Sequence, residues 1–368
     1  MGVCVMGVGI SGIAPTSSGV SYREMIKSAA EAAYMDAGIE PEDLDGAVSV
    51  EEDFVSGYSI ADEYVPDQIG CVRKPIYTVC GDFLQGLASA AMQIQTGRFR
   101  RVVVESYSKA SNVLEKDEML TFAFDPIFDR LGISPHYLAG IEMQRFLDMS
   151  LHTMGDVARV VSRNRARAVG NPMAPYGARI STSDVLSGRP VATPVTEPMV
   201  ARHADGAVCI VLGSDDVIET ANKPVRISGT GWASGNSIIQ RREHGLSVGT
   251  VLAARMAYAE AGIDVPTEQL DVYYVNDLYA HRQLMHMDAL GLTDDQLPVI
   301  NPNGGLLGMG DLIEASSGVQ LYDAIKQLRG EAGAHQVAGA ERALVHGWRG
   351  LPTDTAAVTI LSAMRSQS

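Results

Sequence analysis

The chain has 368 residues, enough for one large domain or two small ones, and its 46% hydrophobic and 20% charged residues are ordinary for a globular protein. Its 29 lysine and arginine residues face 44 aspartate and glutamate residues, so the net charge is −15. This acidic balance argues against nucleic acid as the main partner, because binding phosphate groups needs a basic face.

The sequence also limits membrane and metal chemistry. No run of about 18 apolar residues occurs, so we expect no membrane span. The first residues lack a basic segment and are typical of a strand, not of a signal peptide. The spacing of Cys4, Cys71, Cys80 and Cys209 matches neither a disulfide framework nor a zinc site. We therefore expect no bound metal and a cytoplasmic location.

Strands and helices are predicted to alternate along most of the chain, which favours a mainly parallel, buried sheet in each half. Runs rich in valine and isoleucine predict strands at Val3–Val8, Gly46–Val50, Arg101–Glu105, Ala207–Leu212, Val225–Gly229, Val272–Val275 and Ala356–Leu361. Apolar residues at helical spacing predict helices at Tyr22–Ala37, Asp82–Gln95, Ser247–Ala261, His281–Leu290 and Glu314–Leu328.

One segment occurs twice in related form. Ala33–Ile39 recurs as Ala257–Ile263, and each copy ends a predicted helix before an acidic turn with proline and a strand. We infer a duplication inside one fold, because a repeat array needs several short units. Residues 1–215 are predicted to form the first half and residues 216–368 the second. The proline-rich stretch 108–198 is predicted to be a partly helical loop region on top of the first half, a common place for substrate-binding elements.

Cys80 is the sharpest candidate for chemistry. It follows a strand-like run and lies at the start of the predicted helix Asp82–Gln95, where backbone N–H groups favour an anion such as a thiolate. The alternative is a small packed residue, because a lone cysteine is usually a buried hydrophobe.

Polar residues follow two strand-like runs in the second half. Asn276 and Asp277 end the predicted strand Val272–Val275, and sites assemble at such strand ends; the alternative is that they cap the next helix. His346 follows another such run, and histidine is the usual proton carrier near neutral pH, although a lone histidine is more often packed or solvated. His281 and His286 lack a zinc-protease spacing and are expected to be structural.

The segment Asn301–Gly310 is rich in glycine and asparagine. This composition predicts a tight backbone that another group approaches closely. The segment lacks the spacing of a P-loop or a dinucleotide-binding fingerprint, so alone it is weak support for a ligand site.

These pieces in this order resemble the thiolase superfamily over essentially the whole chain. The loop region and the His346-Gly347 segment are similar to the sterol-carrier-type and archaeal thiolases. The resemblance implies an α/β fold, layered α-β-α-β-α, with two mixed five-stranded sheets around central helices. The most similar segments are Cys80–Gly97, 171–207, Asn276–Ala280 and Asn301–Gly330.

The resemblance also implies partners and ligands. It implies a homodimer, and many of the similar thiolases act with a small protein bearing a zinc ribbon and an OB-fold. No cofactor is bound permanently; acyl-CoA and coenzyme A are substrates. Gly304, Gly305 and Gly310 are the residues assigned to coenzyme A binding, and Arg159–Arg179 contains candidate basic residues for its phosphates.

The family's nucleophilic cysteine falls on Cys80 and its oxyanion-hole asparagine on Asn276. The implied chemistry is thiolate attack on an acyl carbonyl and transfer to or from coenzyme A, with N–H donors stabilising the oxyanion and the enolate.

The chain departs from the family pattern in three places. Asp311 stands where the family has its catalytic histidine, and a carboxylate near Cys80 disfavours the thiolate unless it is protonated or turned away. The second catalytic cysteine is absent from His346–Gly350, where His346 is a candidate proton-transfer group. Asp82 replaces a small residue two positions after the nucleophile.

Three functions follow. The first is a thiolase that cleaves or forms a 3-oxoacyl-CoA through acyl-Cys80, on an unusual aryl or branched substrate such as benzoylsuccinyl-CoA. The second is a retro-aldolase of the kind that shortens steroid side chains, with Asp311 as the base; such lyases use tyrosines at these motif positions, where this chain has Asn276 and Asp311. The third is a degenerate structural subunit of a heteromeric thiolase.

Overall fold

The computed structural model describes residues 2–52, 61–112, 133–218, 221–236 and 238–364. The strands are β1 (Val3–Ile10), β2 (Gly46–Val50), β3 (Ile76–Val79), β4 (Arg101–Ser108), β5 (Pro190–Ala192), β6 (Val195–Thr196), β7 (Gly206–Ser214), β8 (Val225–Ala233), β9 (Val272–Tyr274), β10 (Arg342–Trp348) and β11 (Ala356–Ala363). The helices are α1 (Tyr22–Ala37), α2 (Ala61–Tyr64), α3 (Phe83–Gln95), α4 (Pro135–Met149), α5 (Met154–Ala168), α6 (Thr182–Leu186), α7 (Val248–Ala261), α8 (Pro266–Gln269), α9 (Ala280–Leu290), α10 (Gly305–Met309) and α11 (Ser316–Arg329).

The described strands other than β5 and β6 form one sheet in the order β3-β2-β4-β7-β1-β8-β11-β10-β9. Parallel pairs are β2–β3, β2–β4 and β9–β10, whereas β1–β7, β1–β8, β4–β7, β8–β11 and β10–β11 are antiparallel. The prediction of mainly parallel sheets is therefore wrong. Neighbouring strands are parallel only where a helix returns the chain to the same end of the sheet. After the loop region, β7 enters from the opposite end, so its pairs with β1 and β4 are antiparallel.

The two halves of the sheet have the same internal order. The first half has the order β3-β2-β4-β7-β1, and the second half, read from its own edge, has β9-β10-β11-β8. In this comparison β2 matches β9 and β4 matches β10, so β3 has no counterpart among the four strands. Ile300 forms an isolated parallel bridge with Tyr273 at the place of a fifth strand. Because β1 also pairs with β8 through Val3–Val5, the halves join in one nine-stranded sheet instead of two separate five-stranded sheets. The predicted boundary near residue 215 falls in the connection between β7 and β8.

Three apolar clusters separate the layers. One packs α1 against the outer face of the first half, for example Ala29 with Val103. A second encloses the central helices α3 and α11 between the halves, and a third packs α7 on the outer face of the second half. The predicted layered α/β class is confirmed by this order of helices and strands.

The repeated segment ends α1 and α7 in the same way. Gly38 and Gly262 have φ of 65° and 64°, a left-handed conformation that glycine adopts without penalty. The N–H of Ile39 donates to Tyr34 O at 3.1 Å, and the N–H of Ile263 to Tyr258 O at 2.9 Å. Each glycine therefore stops its helix and turns the chain toward the next strand.

The loop region lies against the second half of the fold, not on top of the first half as predicted. Val157 and Val161 of α5 share a core with Leu284 and Leu306. Residues 113–132 of the predicted loop region lie outside the described residues. No helix in the described ranges is long and apolar enough to cross a membrane.

Candidate functional site

Cys80 is exposed at the junction of β3 and α3. Asp82 caps the helix: its Oδ1 accepts from the N–H of Leu84 at 2.9 Å, and its own N–H donates to Gln85 Oε1 at 2.9 Å. This capping box fixes the turn that follows the cysteine. β2 runs parallel to β3 with Val50 opposite Val79, so Glu51 continues beside Cys80 in the same register.

The Asp82 carboxyl group is buried at the centre of the fold. It is 4% exposed, and Ser317 Oγ from α11 donates to its Oδ1 at 2.6 Å. Burial raises the pKa of Asp82 to about 6, although the hydrogen bonds from Ser317 and Leu84 act in the opposite direction. A Cβ atom at Gly347 of β10 would overlap this carboxyl group. The glycine therefore makes the room that Asp82 fills.

Asn276 is held by three contacts at the end of β9. Its side-chain oxygen accepts from the N–H of Leu278 at 3.0 Å, and its Nδ2 donates to Trp348 O at 3.3 Å. Its backbone N–H donates to His346 Nδ1 at 3.4 Å. Leu278 lies before α9, whose N-cap residue Tyr279 makes no side-chain cap hydrogen bond, so Asn276 does not cap the next helix. The Nδ2 group of Asn276 carries two N–H bonds. One of them has no acceptor among the described residues and can donate to a ligand.

His346 is buried and neutral. Burial, with a smaller contribution from the Arg282 charge, lowers its pKa to about 3. Its Nε2 lies 3.0 Å from Thr250 Oγ1, and its ring centre lies 4.3 Å from that of His286. With both ring nitrogens engaged, His346 has the contacts of a packed residue, and its predicted proton-transfer role finds no support in the geometry.

Asp311 lines a cavity of about 390 Å³ next to this edge of the sheet. Its Oδ1 accepts from the N–H of Ile313 at 3.1 Å and from Ser316 Oγ at 3.0 Å, and its Oδ2 lies 3.7 Å from His203 Nδ1. The cavity wall also includes Tyr176, Tyr279, His136 and Arg349.

Arg349 links the wall of the Asp311 cavity to the end of β2. Its guanidinium forms an ion pair with Glu52, which follows Glu51 at the end of β2. The structure therefore brings the ends of β2, β3 and β10 together, and the end of β10 contacts Asn276. That Cys80, Asn276 and Asp311 act together in one site stays a prediction.

The predicted coenzyme A glycines have packing roles. Gly304, Gly305 and Gly310 have φ of 108°, 61° and 100°, which side-chain-bearing residues rarely adopt. A Cβ atom would overlap Ala168 at Gly304 and the Asp277 carboxyl group at Gly305, and Gly310 is similarly enclosed. These contacts account for the glycines without a ligand, and their role in coenzyme A binding stays a prediction.

Sequence patterns missed two features of the site. Asp82 was noted only as a departure from a family motif, and its burial against Ser317 and Gly347 depends on contacts between distant segments. The buried pair of Arg282 and Glu142 behind Trp348 had no signal beyond charged residues in apolar helices. Within the part of the chain that the structure describes, no cluster of three or more metal-binding side chains occurs.

Comparison with known proteins shows which sequences and folds this chain is similar to. Residues 293–363 match the family model described as Thiolase C-terminal domain-like. The chain is 28% identical to the acetyl-CoA acetyltransferase of Methanothermobacter thermautotrophicus over 385 residues, which cover 96% of this chain and 99% of the relative. It is 28% identical to the benzoylsuccinyl-CoA thiolase subunit BbsB of Thauera aromatica over 221 residues, covering 55% and 57% of the two chains.

A solved structure described as the Ltp2-ChsH2(DUF35) aldolase superimposes with a TM-score of 0.85 at 22% identity, covering 100% of this chain and 99% of the other. The layered α/β fold is that of thiolase-fold proteins. Residues 293–363 match the C-terminal thiolase domain, and the whole chain is similar to a thiolase-superfamily enzyme.

Proposed function

We propose that this protein is a thiolase-type acyltransferase that works through an acyl-Cys80 intermediate. The exposure of Cys80 carries this proposal, because Cys4, Cys71 and Cys209 are all buried. Burial raises the pKa of Cys4 and of Cys71 to about 11, which makes those thiols poor nucleophiles. Cys80 instead precedes α3, where helix N–H groups stabilise an anion.

The reaction divides into two steps. The Cys80 thiolate attacks the C3 carbonyl carbon of a 3-oxoacyl-CoA, the C2–C3 bond breaks, and the departing enolate takes up a proton at C2. Coenzyme A then loses its thiol proton, attacks the acyl-Cys80 carbonyl carbon, and releases the Cys80 thiolate. The remaining N–H of Asn276 and backbone N–H groups are the candidate donors for the oxyanions. Similarity to BbsB favours an aryl or branched acyl group.

A retro-aldolase is the second candidate. The cavity with Asp311, Tyr176 and Tyr279 offers a carboxylate and phenols for moving protons of a β-hydroxyacyl-CoA. The superposition with a thiolase-fold aldolase is consistent with that chemistry. Two points count against the retro-aldolase. Oδ1 of Asp311 already accepts two hydrogen bonds, and Cys80 would have no role in that reaction.

We also propose two partners. A small zinc-ribbon/OB-fold protein is supported by relatives whose names describe a thiolase subunit and a complex with a DUF35 protein. A homodimer is supported by β3, a half-buried edge strand next to Cys80, because an unpaired strand edge is a ready surface for pairing. The cytoplasmic location stays a prediction.

Intact-protein mass spectrometry tests the acyl transfer. The protein, with its partner where one co-purifies, is incubated with acetyl-CoA, acetoacetyl-CoA and an aryl acyl-CoA. We expect an acyl mass increment in the wild type and in Cys71→Ala, and none in Cys80→Ala. Binding of acyl-CoA without any increment would favour the retro-aldolase. Absence of both binding and increment would favour the degenerate subunit.

A further inference from the structure

Asp82 occupies a place where a proton-transfer group would be needed. It is two residues after Cys80, so the two Cα atoms are at most about 7 Å apart. Its carboxyl group lies between the start of α3, Ser317 of α11 and Gly347 of β10. Those three elements come from both halves of the fold, and they meet beside the nucleophile.

The two carboxyl oxygens of Asp82 differ in their contacts. Oδ1 accepts from Leu84 N at 2.9 Å and from Ser317 Oγ at 2.6 Å. Oδ2 accepts no hydrogen bond from any described residue, and Asp82 retains 4% exposure. One oxygen therefore fixes the orientation of the group, and the other is left to exchange a proton.

Gly347 shows that this arrangement is specific. Any side chain at residue 347 would overlap the Asp82 carboxyl group. By resemblance, the family's second cysteine belongs in the segment His346–Gly350, where this chain has none. Asp82 therefore fills, from the other half of the fold, the space that a residue of that segment would fill.

We propose that Asp82 is the proton donor and acceptor of the acyl-CoA reaction at Cys80. The assignment rests on the proposed acyl transfer. Protonated Asp82 gives its proton to C2 of the enolate when the C2–C3 bond breaks. The Asp82 carboxylate then takes the thiol proton of coenzyme A as that sulfur attacks acyl-Cys80. The two steps restore protonated Asp82 and the Cys80 thiolate.

The protonation behaviour of Asp82 suits this role. A pKa of about 6 keeps both the acid and the carboxylate populated near neutral pH. α11 presents the uncharged Ser317 to this carboxyl group. The titratable or charged groups on the neighbouring elements are Cys80, Glu51, Glu52, His346 and Arg349.

Hydrogen–deuterium exchange at the methyl group of acetyl-CoA tests the assignment. The Asp82 carboxylate removes a C2 proton, so NMR should show wild-type exchange rising with pH through about 6. Asp82→Asn keeps a good helix cap and should lower exchange by at least about a hundred-fold. Acylation of its Cys80 by acetyl-CoA, followed by mass spectrometry, should also be slower than in the wild type, because Asp82 gives the proton to the departing coenzyme A sulfur.

Two further variants separate catalysis from structure. The Ser317 hydrogen bond lowers the pKa of Asp82. Ser317→Ala should therefore shift the rise of the exchange rate to higher pH. The double variant Asp82→Ala with Gly347→Cys should recover part of the exchange. Its exchange rate should rise near the ordinary cysteine pKa of about 8.5.

The outcomes distinguish the two proposals. Exchange by Asp82→Asn at the wild-type rate and pH profile would overturn the assignment of Asp82, as would a wild type that is acylated without C2 exchange. A wild type that forms no acyl-Cys80 would overturn the proposed function and this assignment with it.

Discussion

Arg282 and Glu142 form an ion pair in which the two side chains are 0% and 2% exposed. Arg282 Nε donates to Glu142 Oε2 at 3.0 Å, and the guanidinium lies 4.0 Å from the centre of the Trp348 ring. Glu142 belongs to α4 of the loop region and Arg282 to α9 of the second half. The pair therefore fastens the loop region behind the site.

Removing one charge of this pair should be costly. Glu142→Gln removes the carboxylate that Arg282 shares with the buried Arg242; among the described residues, Asp354 at 3.2 Å remains as a charged partner of Arg282. We expect a loss of about 3–5 kcal/mol in the free energy of unfolding, measured by urea denaturation. Glu331→Gln, which breaks partly exposed pairs with Lys223 and Lys326, is the control and should cost less than about 1 kcal/mol. Equal costs for the two variants would contradict the prediction.

Two glycines at matching places in β1 and β8 let a helix approach each strand. A Cβ atom at Gly7 would overlap Ala33 O of α1, and one at Gly229 would overlap Ala257 O of α7. Gly7→Ala and Gly229→Ala should each lower stability by about 1–3 kcal/mol, because a backbone carbonyl cannot move aside cheaply. Gly12→Ala is the control, since nothing lies within 4 Å of its Cβ position. A control as destabilised as the other two variants would refute the close-packing account.

His346 should make the protein less stable in acid. Its pKa of about 3 in the folded chain is below the unfolded value of about 6.5, so the unfolded state binds the proton first as pH falls. The contribution of the neutral, buried His346 ring to the free energy of unfolding is complete above about pH 6.5. It is lost progressively as the pH falls toward 3. His346→Gln should reduce the slope of unfolding free energy against pH by up to about 1.4 kcal/mol per unit in that window. Denaturation midpoints at several pH values measure it; an unchanged slope would show that His346 titrates normally.

Glu105 should have the opposite effect. Burial raises the pKa of Glu105 to about 8, and the hydrogen bond from Ser49 acts in the opposite direction. The folded chain therefore holds this proton longer than the unfolded chain, and stability falls as pH rises from about 4.5 to 8. Glu105→Gln should flatten that fall, and Glu40→Gln, at an exposed position, should leave it unchanged. Identical pH curves for wild type and Glu105→Gln would exclude a protonated Glu105 at pH 7.

Local sequence signals predicted local structure well. The helix Tyr22–Ala37 and the strand Gly46–Val50 have the predicted bounds, because side-chain periodicity reports which face of an element is buried. The antiparallel pairs of β7 were missed, since strand order depends on where the chain goes after the loop region.

The sequence by itself determined the duplication, the helix-ending glycines Gly38 and Gly262, and Cys80 at a helix start, because these follow from residues close along the chain. Only the tertiary structure decided that Asp82 meets Ser317, 235 positions away, and fills the space beside Gly347. It also decided that His346 is buried and neutral. Burial and protonation depend on which distant segments exclude water around a group, and a one-dimensional pattern does not carry that information.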